Sequence, residues 1–415
     1  MEQQLTLKNP RWVTEGEFSH DGDLVTAEIP KNVQGIKDFA FIGCNNLRSV
    51  IIPDNVGYIR QAAFENCTSL EAIIIPAKVK HIPRDVFCNC PSLVSVEIKG
   101  NVKTIGVCAF NECRNLREIL LPVVTMIGNC AFDGCLRLER VDLGNRLVKL
   151  GMHAFSNCGE LLEVTLPDTL EYLGAGCFLR CTKLERINIP WGIERIQSNC
   201  FNSCGLKEVT MTNGLRLIEQ YAFTNCEKLE RIIMPDTLVK LDYGAFDECG
   251  LKYVKLPAGM TCLKNHPFWG NKSLTSVCFP EGILRVYMES FDHTTNLTSL
   301  YFPDSIRKII SGERYRILPV NINTISVPRS YIEREGYPSL NSLKLVYVRN
   351  SEDFCGVVPI PKRWTVYVVN SVSTREVKIF ELVVGMLQLV FEGSVDDGLV
   401  LGTDEIWPYL GYTAK

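Results

Sequence analysis

The sequence predicts a repeat solenoid, with a parallel β-sheet on one side, short helical or 3-10 turns opposite, and a small C-terminal β-rich module. Three observations carry this. A phenylalanine returns at positions 18, 41, 64, 87, 110, 132, 155, 178, 201, 223, 246, 268 and 291, every 22 or 23 residues. The same frame recurs around it, as in Ala40-Phe41-x-x-Cys44-x-x-Leu47-x-x-Val50-x-Ile52-Pro53. Within each unit the apolar spacing switches from steps of three to steps of two.

Each element follows from those spacings. Phe41, Cys44 and Leu47 stand three residues apart, which places them on one side of a helical or 3-10 turn. Val50 and Ile52 alternate with outward positions, as on a half-buried strand. Proline closes that strand in most units and is often followed by Asp54, Asp168, Asp236 or Asp304. Pro sets φ and Asp bonds its own backbone, so the pair predicts a turn. About six residues later an aliphatic returns (Ile59, Ile82, Ile105, Ile127, Leu150, Leu173, Ile196) and directs a second short segment into the core. One unit cannot bury this much apolar surface, whereas stacked neighbours can.

The frame resembles the BspA-type leucine-rich repeats of bacteria and some protists, whose unit reads roughly A-F-x-x-C-x-x-L-x-x-V-x-I-P-x-x-V-x-x-I. The resemblance covers about residues 18–303. It implies a leucine-rich-repeat solenoid acting in protein recognition or adhesion, and many such proteins are secreted or surface-exposed.

Four segments are expected: an N-terminal cap (1–17), about 13 repeats (18–303), degenerate terminal repeats with a cap (304–349), and a β-rich module (350–415). Glu17 and Asp21 replace the usual alanine and cysteine of the first unit, as an exposed end requires. Asn271 and Thr294 replace the cysteine in the last full units. Two degenerate frames follow, Ile322-x-x-Ile325-x-Val327-Pro328 and Leu340-x-x-Leu343-x-Leu345, and the intervening SYIEREGYPSL resembles the short helix that closes arrays in this family. Trp364–Val369 and Glu376–Phe391 read as strands, with Gly385 a bend.

Composition and motifs narrow the function. With 44 basic and 47 acidic residues the net charge is −3, which offers no electrostatic footprint for nucleic acid. The longest apolar stretch, Ile379 to Phe391, contains Glu381 and falls short of the ~20 residues of a membrane-spanning helix. The start, MEQQLTLKNPRWVTEGEF, has no apolar core behind a basic head, so a cytoplasmic location is expected. The cell surface or secretion is the alternative that the resemblance implies. The sequence carries no phosphate loop, zinc-protease motif, nucleophile elbow or dinucleotide fingerprint. The expectation is therefore no enzyme, no cofactor and no metal. Nothing in the sequence sets the oligomeric state.

Ten cysteines form one row: Cys44, Cys67, Cys90, Cys113, Cys135, Cys158, Cys181, Cys204, Cys226 and Cys249. They read as small buried side chains, and free thiols in such number suit a reducing compartment. A disulfide ladder has the right spacing, but side chains of one row point the same way. Cys177 and Cys200 read as small-residue core swaps. Two residues before the phenylalanine, another row reads Asp85, Cys108, Cys130, His153. Those types supply metal ligands or a thiol and its base, so a thiol or metal enzyme using Cys108, Cys130 and His153 stands as an alternative. Ligands ~5 Å apart in a row span about 15 Å, however, whereas zinc needs its ligands within about 2.3 Å of one point. The plainer reading is substitution at a semi-exposed turn.

On the outward face of the strands, Glu118, Arg140, Glu163, Arg186, Glu208 and Arg231 alternate in sign, predicting a ladder of pairs worth about 0.2–1 kcal/mol each. Ile51, Ile74 and Leu120 are aliphatic where a solvated face would be polar; Tyr253, Lys255 and Tyr301 form an aromatic and basic group. Aromatic anchors are common interface hot spots. These six are the candidate binding residues for a protein or surface-glycoconjugate partner. The expected function is a non-enzymatic recognition scaffold, with an adhesin of the same fold as the alternative.

Overall fold

A computed structural model describes residues 5–310 and, beyond them, the strands Thr324–Pro328, Leu345–Arg349, Thr365–Asn370, Glu376–Val383 and Met386–Ser394. The chain divides into two compact units, Met1–Pro235 with Asp242–Cys249, and Asp236–Leu241 with Gly250–Lys415.

In the first unit each repeat is one coil, and most coils carry two strands rather than one. The longer strands, such as Ser49–Ile51, Ala72–Ile75 and Ser95–Ile98, pair in parallel, with Ile73 opposite Val96. The second segment is a strand of its own: His81–Ile82, Thr104–Ile105, Met126–Ile127, Lys149–Leu150 and Tyr172–Leu173 form a second parallel sheet. Ile59, Ile82, Ile105, Ile127, Leu150, Leu173 and Ile196, each ending such a second strand, are all buried, as their spacing predicts.

The turns opposite the strands are not helical, and the backbone shows why. Two residues before and two residues after each phenylalanine the chain crosses to positive φ: Phe39 and Gly43, Ala62 and Asn66, Asp85 and Asn89, Cys108 and Glu112. Each crossing stops a helix after one turn. It also turns alternate N–H groups along the stack. Phe39, Phe41 and Gly43 donate to the carbonyls of Gln61, Ala63 and Glu65 in the next coil at 2.8–3.0 Å, while Ile42 and Cys44 close local turns onto Phe39 and Phe41. A left-handed non-glycine residue costs roughly 1–2 kcal/mol. Three inter-coil hydrogen bonds per step offset that.

The core is a spine of phenylalanines. From Phe18 to Phe246 successive rings lie 5.1–5.7 Å apart and within 20° of parallel. The cysteine row is buried beside it, and its thiols have a task that an apolar side chain could not perform. Each donates to the phenylalanine carbonyl of the preceding coil, from Cys44 on Phe18 to Cys249 on Phe223, at 2.9–3.3 Å. The Phe41 carbonyl thus accepts both the Cys44 N–H and the Cys67 thiol. Glu17 caps the first phenylalanine coil, its carboxylate accepting the Thr14 N–H and hydroxyl at 2.7 and 2.9 Å.

Glycine decides the coil spacing at one corner. Gly106, Gly128, Gly151 and Gly174 follow the second strands, and a Cβ on any of them would lie 2.4–2.6 Å from backbone of the preceding coil. Gly151→Ala is expected to cost about 3 kcal/mol, the upper part of the ordinary range for one substitution. Gly22→Ala, where an added Cβ meets nothing within 4 Å, should cost far less. Urea unfolding of the two variants compares them directly.

The second unit keeps the pattern with changed residues. Asn271 and Thr294, in the cysteine row, donate to the carbonyls of Phe268 and Phe291, at 3.0 and 2.5 Å, in their own coils. The 3-10 helix Met288–Phe291 lies in the coil where Glu289, two residues before the phenylalanine, stays out of the positive-φ region. That is the turn form the sequence predicted for every coil. Tyr253–Lys255, Ser276–Cys278, Ser299–Tyr301, Thr324–Pro328 and Leu345–Arg349 pair in parallel, and Thr365–Asn370, Glu376–Val383 and Met386–Ser394 continue antiparallel. Ile325 and Val327 take the predicted frame, with Ile325 opposite Leu300 and Val327 buried. The next frame does not hold: Val346 and Val348, not Leu343 and Leu345, pair with them. The SYIEREGYPSL segment, Gly385 and Cys355 lie outside the described residues.

Candidate recognition surface

In the first unit, the strand alternation that buries Val50 and Ile73 turns Ile51 and Ile74 outward, leaving them 48% and 43% exposed. Leu120, beside buried Ile119, is 61% exposed. Register places Glu28 next to Ile51, Ile74 next to Glu97, and Leu120 next to Asp142. The result is a row of aliphatics bracketed by carboxylates. In the second unit Lys255 pairs with Cys278 and Cys278 with Tyr301, so Lys255 and Tyr301 stand two coils apart in one row. Tyr253 belongs to the adjacent row, opposite Ser276.

The predicted charge ladder is corrected. Glu118 is opposite Arg140, Arg140 opposite Glu163, and Arg186 opposite Glu208, as expected. Among the described residues, however, the ion pairs form one position earlier: Arg48–Glu71 at 3.8 Å, Arg117–Glu139 at 4.0 Å and Glu185–Lys207 at 2.7 Å. Opposite register alone does not fix a rotamer when an exposed pair contributes about 0.2–1 kcal/mol.

The row of Asp85, Cys108, Cys130 and His153 is one of the two left-handed rows, with φ of 52–57°. Asp85 pairs with Arg84 at 2.7 Å. The His153 ring lies where a Cβ on Gly176 would stand. Burial, with the Cys130 and Asp85 charges, pushes the Cys108 thiol up to about 11. Burial and Asp133 also raise Cys130. A nucleophile or metal ligand needs a thiolate, so these environments act against both roles. Among the described residues no three His, Cys, Asp or Glu side chains are grouped to hold a metal ion.

A sequence profile of the BspA-type leucine-rich repeat region matches the chain in six copies, over residues 13–125, 109–229 and 194–318, about three quarters of its length. The chain belongs to the BspA-type leucine-rich repeat family. Among solved structures it is similar to a leucine-rich repeat protein from Bacteroides ovatus ATCC 8483, with 27% identity over 83% of this chain and 94% of that one, at a TM-score of 0.66. It also matches a leucine-rich cell surface protein from Faecalibacterium prausnitzii A2-165, at 22% identity, 81% and 93% coverage and a TM-score of 0.32. The pneumococcal vaccine antigen PcpA matches at 17% identity, 79% and 78% coverage and a TM-score of 0.41. No curated protein matches the sequence. Among the described residues of this BspA-type repeat protein, no helix is long and apolar enough to cross a membrane.

The repeat frame does not mark two further exposed residues of the BspA-type array as anchors. Ile233, in the same outward row as Leu120, and Trp191 are each 66% exposed. Trp191 stands in the Pro190-Trp191-Gly192 turn, at the position that Asp54, Asp168, Asp236 and Asp304 fill in four other coils.

Proposed function

We propose that the protein is a non-enzymatic recognition scaffold that holds a protein partner on the outward face of its longer strands. The observation that carries this is the row of Ile51, Ile74 and Leu120. Their buried neighbours already supply the core, so these aliphatics add nothing to folding and leave apolar surface in water, a feature typical of contact sites. Glu28, Glu97 and Asp142 bracket them, which favours a partner presenting apolar side chains flanked by Lys or Arg. Tyr253, Lys255 and Tyr301 are proposed as a second set of anchors on the other unit.

The test is capture from lysate, read by mass spectrometry, with the intact chain and two variants. Ile51→Ser with Ile74→Ser and Leu120→Ser should lose the partner at an unchanged melting temperature; Tyr253→Ser with Lys255→Ser and Tyr301→Ser should weaken it. A partner held equally by all three chains would refute the strand face as the interface. Retention of surface glycoconjugate in place of protein would favour the adhesin reading.

A further inference from the structure

We propose that the protein forms a two-fold symmetric dimer through the row of side chains two positions before the buried strand residue, with Val94 on the axis. This row lies in the first unit and is separate from the row of Ile51, Ile74 and Leu120. Backbone hydrogen bonds hold its members in line: Arg48 N–H to Val25 O at 2.8 Å, Glu71 N–H to Arg48 O at 3.0 Å, and Val94 N–H to Glu71 O at 2.9 Å. A second run, from Arg117 to Leu162, is held in the same way, by Glu139 N–H to Arg117 O at 2.8 Å and Leu162 N–H to Glu139 O at 3.2 Å. Six of these seven residues are exposed; Glu139 is half-buried, with its side chain 47% exposed.

Along the stack the row reads aliphatic, plus, minus, aliphatic, plus, minus, aliphatic. Turned end to end about Val94 it is its own complement. Val25 then meets Leu162 of a second copy, Arg48 meets Glu139, and Glu71 meets Arg117, each contact occurring twice. That is the condition for an isologous interface. The row immediately after it tolerates the same reversal: Ser95 falls on itself, Ala72 on Glu118 and Ser49 on Arg140. On the other side the like charges that meet are Asp23 and Glu160, at the far ends, and Glu160 is already paired with Lys183.

Ion-pair geometry adds a second argument. Inside the palindrome the pairs within the chain are long, 3.8 and 4.0 Å, whereas the next pair outside it, Glu185–Lys207, closes to 2.7 Å. At those lengths the pairs within the chain are weak, and the same exposed guanidinium and carboxylate groups can face a second copy. Three aliphatics at equal three-coil steps supply the apolar contacts between them.

Sedimentation of the intact chain across a dilution series tests this, with far-UV circular dichroism confirming that each variant is folded. The intact chain should dimerise. Arg117→Glu sets like charges against Glu71, and Glu71→Arg sets like charges against Arg117, so each alone should weaken the dimer about tenfold or more. Mixing the two variants should restore it, because opposite charges then meet at every such contact. Independently, Val94→Cys should cross-link through position 94 under glutathione disulfide, and Val25→Cys should not. A monomeric intact chain with no cross-link at 94 overturns the proposal. So does a dimer that neither charge reversal weakens.

Discussion

Raising the pH from 8 to 10 is expected to unfold the coils between Phe18 and Cys249, because their buried thiols cannot ionise in place. An unfolded cysteine titrates near 9. In the folded chain burial pushes Cys44 up to about 11 and holds Cys67, Cys90, Cys113, Cys135, Cys158, Cys181, Cys204 and Cys249 above their ordinary value. Ionisation would also remove the proton that each donates to a phenylalanine carbonyl. Below pH 9 both states keep their protons and the stability is flat. Above it the unfolded state releases protons that the native state retains, so stability falls. At pH 10 each such thiol contributes about 1 kcal/mol to that loss, and nine together on the order of 10 kcal/mol. This matches the whole stability of an ordinary domain. Urea titrations across the range measure the slope. Burial raises Cys88, Cys108, Cys177 and Cys200 of the same coils as well. Replacing Cys113, Cys135 and Cys158 by Val should therefore remove about a quarter of that slope, and a stability unchanged up to pH 10 would show that the thiols are not confined as described.

Phe155→Ala should be the most damaging change of a single core side chain. Its ring is fully buried between Phe132, at 5.1 Å and 1° from parallel, and Phe178, at 5.7 Å and 7°. Loss of the ring leaves a cavity walled by rigid neighbours, at about 3–5 kcal/mol. Two aromatic contacts go with it, each worth about 0.5–1.5 kcal/mol. Phe18, which is only partly buried and stacks on Phe41 alone, offers the comparison. Phe18→Ala should cost less than half as much in the same urea titration. Equal losses would mean that neither the fuller burial nor the second stacked neighbour of Phe155 adds to stability.

Much of the fold was legible because core membership repeats. A side chain that must be buried in one coil must be buried in the next, so Phe41, Cys44, Leu47, Val50, Ile52 and Ile59 announce themselves through spacing. The turn side was misread. Three-residue steps suit a helical turn and equally suit consecutive turns interrupted by left-handed residues, and spacing cannot separate them. Residues such as Ala62, Cys108 and Glu112 carry no mark of positive φ, which Gly43, Asn66 and Asp85 at least suggest.

The surface was legible only in part, for a related reason. Which residues face out follows from alternation, so the exposure of Ile51, Ile74, Leu120, Tyr253 and Tyr301 was readable. Which of them pair does not follow. Glu118 and Arg140 oppose each other without closing, while Arg117 and Glu139, one position earlier, meet at 4.0 Å. The contact energies are too small for sequence to select one rotamer.

By itself, then, the amino-acid order determined the repeat, the buried rows and the direction of each strand residue, because those are fixed by period and by the removal of apolar area from water. Tertiary structure alone decided the rest. Stacking made the cysteine row a set of hydrogen-bond donors, since the carbonyl each one serves belongs to the coil before. It drew Asp85, Cys108 and His153 into left-handed backbone, since their N–H groups bond to the coil after. It also set four glycines against neighbouring backbone at distances no other residue would fit. Each of these depends on the gap between coils, a quantity that exists only once they are stacked.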